Sequence, residues 1–311
     1  MMGRGRGPRK SPMPRRPALR PGAATRPGAR RPSRSRAARR LAANPGVVVG
    51  GVVFALIVLS ALLGPVVWNV DPNAQDVAIR LSAPGGAHPL GTDDFGRDLL
   101  ARVLHGARVS LGVGAAVTLA TSVLGLLIGA YACYSPALDA VFMRACDGLM
   151  AIPGVLLAIA LMAMMGASVW NVVIALTIVY TPSMARVVRS RAMVVKGEPF
   201  IEALRVQGAS RARIVWLHIV PNVMGPFLVQ ATFIFADAVL SEAALSFLGL
   251  GIKAPEASWG NILQAGKAHI RKAWWMTALP AMAIVASVLS LNLAGDGLRD
   301  VLDPRTGKGE R

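Results

Sequence analysis

Charge is what this 311-residue chain has least of: Asp, Glu, Lys and Arg together make up 16%, against about 25% in soluble domains. Hydrophobic residues make up 54% and the mean hydropathy is +0.50, so water is not the main solvent of the chain. Cysteine is nearly absent as well. Cys133 and Cys146 are the only two, and neither sits in a Cys-x-x-Cys or Cys/His cluster, which excludes a disulfide framework and a thiolate metal site. No G-x-x-x-x-G-K-[ST] phosphate loop occurs, so the chain has no cradle of its own for nucleotide phosphates. The four histidines, His88, His105, His218 and His269, are scattered and form no HExxH-type set.

Basic charge is abundant but confined. Of the 34 Lys and Arg, 14 fall within residues 1–45, which hold no acidic residue, leaving 20 basic against 16 acidic residues in the rest. The +18 net charge is therefore a property of the tail and not a nucleic-acid surface. This tail is rich in Arg, Pro, Gly, Ser and Ala and cannot bury enough apolar surface to offset chain entropy. Residues 1–45 read as a disordered, basic, cytoplasmic tail of the "positive-inside" type. Attraction to anionic lipid headgroups and an organellar transit peptide are the alternatives for the same composition.

A helix rises 1.5 Å per residue and the hydrocarbon core is about 30 Å thick, so about 20 uncharged residues suffice to cross it. Gly46–Trp68, Val109–Leu138, Gly148–Ala185, Ile214–Ala236 and Ala273–Gly295 all lack Asp, Glu, Lys and Arg. The third run would be about 57 Å long as one helix and must double back, with Gly166-Ala167-Ser168 as the hairpin. The expected fold is thus an all-α integral membrane protein of six transmembrane helices. The expected division is the 1–45 tail, a first helix over 46–70, an external loop with an amphipathic segment over 71–107, a five-helix core over 108–296 and a cytoplasmic tail over 297–311. The basic residues of 186–213 and of the tail put both termini in the cytoplasm, outweighing Lys253, Lys267, Arg271 and Lys272 of the 249–272 loop.

Between spans four and five, residues 197–222 read GEPFIEALRVQGASRARIVWLHIVPN. Phe200, Ile201, Leu204 and Gln207 lie at helical spacing, Gly208 suits the left-handed residue that ends a helix, and Ser210 suits the cap of a second short one. Pro221 then marks entry into the fifth span. A short surface helix of this kind is a rigid body that another protein can grip.

Glu202-Ala203-Leu204, three residues, Gly208, nine residues, then His218-Ile219-Val220-Pro221 resembles the "EAA" loop of ATP-binding-cassette importer permeases, EAA-x3-G-x9-I-x-L-P. It departs at Leu204, His218 and Val220, and the first removes a small residue where helices dock closely. HPLGTDDFGRDLLARVLHGARVSL (88–111), DGLMAIPGVLLAIAL (147–161), LSEAALSFLGLGIKAPEASWG (240–260) and LNLAGDGLRDVLDPR (291–305) resemble the dipeptide/oligopeptide/nickel permeases, specifically the second, "C"-type, subunit. The resemblance covers about residues 46–305. It implies a non-enzymatic, multi-pass permease subunit in a prokaryotic plasma membrane, without cofactors. It also implies a homologous second permease, two ATP-binding subunits and an external solute-binding protein, with membrane lipid and no nucleic acid as further surroundings. Its ATPase-coupling role falls on Glu202, Ala203, Gly208 and Pro221. Nucleotide-driven closure of the ATPases would drag the 198–212 helix pair and switch access from one side to the other.

Asp237 and Glu242 lie in or near the fifth span, where an ionised carboxylate is costly and usually faces a cavity or partner. They are candidate polar residues of the translocation path, meeting a substrate amine or cation. The same carboxylates support a rival reading, a secondary transporter with a proton or cation relay, which predicts inverted repeats that the sequence does not show. Asp147, Asp296 and Arg144 read as interfacial anchors, Pro153 and Pro182 as kinks, and His88, Asp93, Asp94 and Asp98 as a structural collar more than a metal site. The substrate, whether dipeptide, oligopeptide or nickel chelate, is not encoded in any of these motifs.

Overall fold

The computed structural model describes Ala42 and residues 44–302; residues 1–41 and 43 of the basic tail and the last nine residues lie outside them. All regular elements among the described residues are helical. α1 is Pro45–Val67, α2 Leu99–Ala132, α3 Pro136–Met150, α4 Gly154–Met165, α5 Val169–Lys196, α6 Pro199–Val206, α7 Arg211–Phe247, α8 Trp259–Lys267 and α9 Trp275–Leu302. Five of these, α1, α2, α5, α7 and α9, are long and apolar enough to cross a membrane. α3 and α4 pass the same test only taken together, bent by 90° at Ala151-Ile152-Pro153, which makes the pair either one broken span, the sixth, or a re-entrant loop. The bend has a local cause, since a residue before proline avoids the helical region and Pro153 has no N–H to continue the ladder. Alone, the 12-residue α4 is about 18 Å long, short of the membrane core.

The hairpin between α4 and α5 falls at Gly166, whose φ is +83°. Asn171 closes it by donating from Nδ2 to the carbonyls of Met165 (2.8 Å) and Gly166 (2.9 Å).

α2 and α5 form the central pair. Gly125 and Gly129 on α2 face Met184, Ala185 and Val188 on α5, and a Cβ at Gly129 would stand 2.6 Å from the Ala185 carbonyl oxygen. This is the small-xxx-small spacing that lets helix backbones approach in lipid, where dispersion replaces the hydrophobic effect as the packing force. α7 packs on α2, α5 and α9, and α1 lies outermost against α9 and α2. Half of the apolar window of α5 is buried, against 11% for α1, so α5 is core and α1 is a lipid-facing anchor.

α2 begins at Leu99, before the uncharged run, and takes Arg102, His105 and Arg108 into the helix. Each basic charge is accommodated. Pro65 inside α1 has no N–H for the Ala61 carbonyl, and Arg108 Nε donates to that oxygen at 2.7 Å. Arg102 is 4% exposed. It reaches Asp93 at 3.5 Å and the Pro72 carbonyl at 3.2 Å, while Arg97 Nε donates to the same Asp93 carboxylate at 2.6 Å. Asp98 caps α2 through the Ala101 N–H and also accepts from Trp68 Nε1 (3.1 Å), with His88 Nδ1 at 2.8 Å. Residues 71–98 therefore form a knitted collar over one end of the bundle, joined to the start of α9 where Trp275 Nε1 donates to the Thr92 carbonyl (3.3 Å). The 133–135 and 197–210 connections lie at the opposite end.

Candidate functional site

At the end opposite the collar, α6 is anchored by one face and bare on the other. Ile201 is fully buried in a cluster with Met184, Val188, Ile214, Ile219 and Val223, and Leu204 packs at its edge. Glu202, Ala203, Arg205, Val206 and Gln207 are exposed, Val206 at 89%. α6 is thus held to the bundle by Ile201 while its other face stays open.

The end of α6 is a Schellman motif. The Gly208 N–H donates to the Arg205 carbonyl and the Ala209 N–H to the Leu204 carbonyl, both at 3.0 Å, the pairing that requires a left-handed residue between them. Gly208 supplies it with φ +80°. Among the described residues beyond its chain neighbours, none lies within 4 Å of where its Cβ would stand, so the constraint there is the backbone angle and not crowding.

Ser210 then accepts from the Arg213 N–H (3.3 Å), but the helix it caps is not a separate short one, as the sequence suggests. It runs through a π turn at Val215–Ile219 directly into the membrane span. Pro221 lies inside this continuous helix and marks no entry. The wider π turn, with the Val220 N–H reaching the Val215 carbonyl, accommodates the ring, and Asn222 Nδ2 donates to the His218 carbonyl at 2.6 Å. Thus Glu202, Ala203 and Gly208 share one exposed element, whereas Pro221 is exposed on the helix that element leads into.

The joint that holds α6 is not legible in the residue pattern. Tyr134, in the α2–α3 connection, has Lys196 Nζ 5.3 Å and the Arg205 guanidinium 5.6 Å from its ring centroid. Lys196 also donates to the Cys133 carbonyl at 2.6 Å. Cation–π contacts need only proximity in space, so spacing along the chain does not reveal them. Nearby, Asp139 of α3 pairs with Arg189 of α5, and Asp147 with Arg186.

The two carboxylates of α7 have opposite environments. Glu242 is fully buried, accepting from the hydroxyls of Ser110 on α2 and Ser246 on α7, each at 2.7 Å. The Ser110 oxygen in turn accepts from the Trp259 N–H (3.2 Å), so this carboxylate ties α2, α7 and α8 together. Asp237 is exposed, and its carboxylate has no hydrogen-bond or ion-pair partner among the described residues. Five residues apart on a helix, the two point to different faces and do not converge. In the collar, Asp93 is engaged by Arg97 and Arg102. Among the described residues no three His, Cys, Asp or Glu side chains converge as a metal site.

The profile of the family described as "Binding-protein-dependent transport system inner membrane component" matches residues 121–308. That of the "N-terminal TM domain of oligopeptide transport permease C" matches residues 34–84. A Brucella abortus protein described as a peptide transport system permease is 47% identical over 86% of this chain and 90% of its own length. The di/tripeptide transport system permease protein of Pseudomonas aeruginosa is 41% identical over 84% of this chain and 89% of its own. The dipeptide transport system permease protein of Alkalihalophilus pseudofirmus is 39% identical over 86% and 88%.

Proposed function

The chain belongs to the binding-protein-dependent transport system inner membrane components, as a permease subunit of an ATP-binding-cassette importer, and on that premise we propose that it imports peptides and couples to separate ATPase subunits through α6. The peptide assignment follows the names of the relatives, which span short peptides of several kinds. Its partners in this reading are a homologous second permease, two ATP-binding subunits and an external solute-binding protein. ATP hydrolysis belongs to the partners.

One observation carries the coupling role: α6 presents Glu202, Ala203 and Val206 bare to solvent while Ile201 and the Tyr134 joint fix it to the bundle. A push on α6 passes to α2, α3 and α5 through Tyr134, and to α7 through the turn at Gly208. The end carrying α6 faces the cytoplasm, supported by Arg186, Arg189, Arg191, Lys196, Arg205, Arg211 and Arg213 clustered there. Of the two intramembrane carboxylates, Asp237 lines the path, and Glu242 pins the helices that frame it.

Co-expression of the chain with its second permease and ATP-binding subunits tests this. The expected result is one stable complex whose ATP hydrolysis rises when peptide-loaded binding protein is added. A chain that purifies alone and transports without ATP overturns it.

A further inference from the structure

Asp237 is not isolated. Gln230, Asp237 and Ser241 are spaced by seven and four residues, which places them on one face of α7. The neighbouring face of α5 supplies Tyr180 and Ser183. The Tyr180 hydroxyl lies 2.7 Å from Ser241 Oγ and 3.2 Å from the Asp237 carbonyl oxygen, and Gln230 Nε2 donates to Ser183 Oγ at 3.4 Å. Gln230 to Ser241 is about 16 Å along the helix, roughly half the hydrocarbon thickness. Asp237 stands about 15 Å from the end of α7 at Phe247. A charged group at that depth, exposed and without a partner among the described residues, cannot face lipid at acceptable cost.

Directly beyond Tyr180 and Ser241 the helices part around a cavity of about 180 Å³. Val155 and Ala158 of α4, Leu176 and Val179 of α5 and Leu245 of α7 line it, and its hydroxyls are those of Tyr180 and Ser241. An unpaired carboxylate, a row of neutral hydrogen-bonding groups and an apolar recess thus follow one another along a single α5–α7 face. That sequence of chemistries matches a zwitterion that carries an ammonium group next to an apolar side chain.

We propose that this α5–α7 polar track is the wall of the translocation path in this subunit, with Asp237 receiving the α-ammonium group of a peptide and the adjoining cavity receiving its first side chain. The inference rests on the peptide reading above. Tyr180 is a positioning residue, holding the α7 backbone at Asp237 and orienting Ser241. The neutral groups on either side let the ammonium leave Asp237 by exchanging hydrogen bonds stepwise and not by full dehydration, so the site is weak enough to release.

The test uses the full complex, reconstituted in liposomes with its binding protein and an alanyl-leucine dipeptide as probe. Asp237→Asn is expected to lower uptake at least tenfold, and Asp237→Glu to stay within threefold of wild type, with both permeases and the ATPases co-purifying as before. Tyr180→Phe is expected to raise the apparent KM for uptake with the maximal rate retained. Wild-type uptake by Asp237→Asn overturns the inference. So does loss of the second permease from that variant, since Asp237 would then be pairing with the partner subunit and not with peptide. A wild-type complex that takes up no peptide fails before any variant is made and identifies the peptide reading itself as the error.

Discussion

The Glu242 carboxylate on α7 accepts a hydrogen bond from the Ser110 hydroxyl on α2 at 2.7 Å, between two residues that are both fully buried. Ser110 passes the link on to α8 by accepting from the Trp259 N–H. One hydroxyl therefore serves two helices. Ser110→Ala leaves a carboxylate oxygen and a backbone N–H without this partner, and each such buried orphan costs about 1–3 kcal/mol. The expected outcome is a lower thermal midpoint in detergent for Ser110→Ala, with Ser110→Thr closer to wild type. Glu242→Leu, which orphans Ser110 and Ser246 together, should fall further than Glu242→Gln.

The collar makes a second prediction. Asp93 is 3% exposed and receives the Phe95 and Arg97 N–H groups at 2.9 Å, Arg97 Nε at 2.6 Å and Arg102 Nε at 3.5 Å. Removing one member of a buried charged cluster leaves the others uncompensated and costs about 3–5 kcal/mol. Asp93→Ala should sharply reduce the amount of folded chain recovered from membranes. Substituting Asp76, which caps only the exposed turn Val77–Ile79, should have little effect. Size-exclusion recovery after solubilisation compares the two.

Orientation is tested by thiol labelling. Cys133 and Cys146 are buried at 2% and 5% exposure, so native background is expected to be low. Phe95→Cys in the collar, 49% exposed, should react with a membrane-impermeant reagent in intact cells, and Phe200→Cys on α6, 44% exposed, should react only after permeabilisation. Labelling of residue 200 in intact cells contradicts the arrangement.

Much of this fold was legible from run length because a membrane span must satisfy its own backbone, leaving apolar helices as the main option. The hairpin at Gly166 and the left-handed Gly208 were both readable, one from the excess length of its run and the other from glycine at the end of a helical pattern. What escaped was paired charge. Arg102 and Arg108 sit inside α2 because Asp93 and the Ala61 carbonyl neutralise or satisfy them, and counting uncharged residues cannot detect partners distant in sequence. Pro153 reads as a kink in the sequence, but the size of the bend, 90°, and the pairing of α3 to α5 through Asp139–Arg189 and Asp147–Arg186 involve residues distant along the chain. At the site, Glu242 and Asp237 looked alike in sequence. Only the serines around one and the open face beside the other tell them apart.

The central claim is that α6 and its glycine turn transmit the ATPase stroke, and Gly208→Val tests it most directly. A non-glycine residue in the left-handed region costs about 1–2 kcal/mol, and among the described residues beyond its chain neighbours none comes within 4 Å of the Cβ it would add, so the variant should insert and fold. Glu202→Lys inverts an exposed charge on the same helix and is the matching surface change. The measurement is substrate-stimulated ATP hydrolysis by the purified complex, with co-purification of the ATPase subunits recorded alongside. The account predicts that both variants reach the membrane at wild-type levels and lose ATPase association and stimulated hydrolysis together. A Gly208→Val or Glu202→Lys complex that keeps its ATPase subunits and transports at the wild-type rate would contradict it.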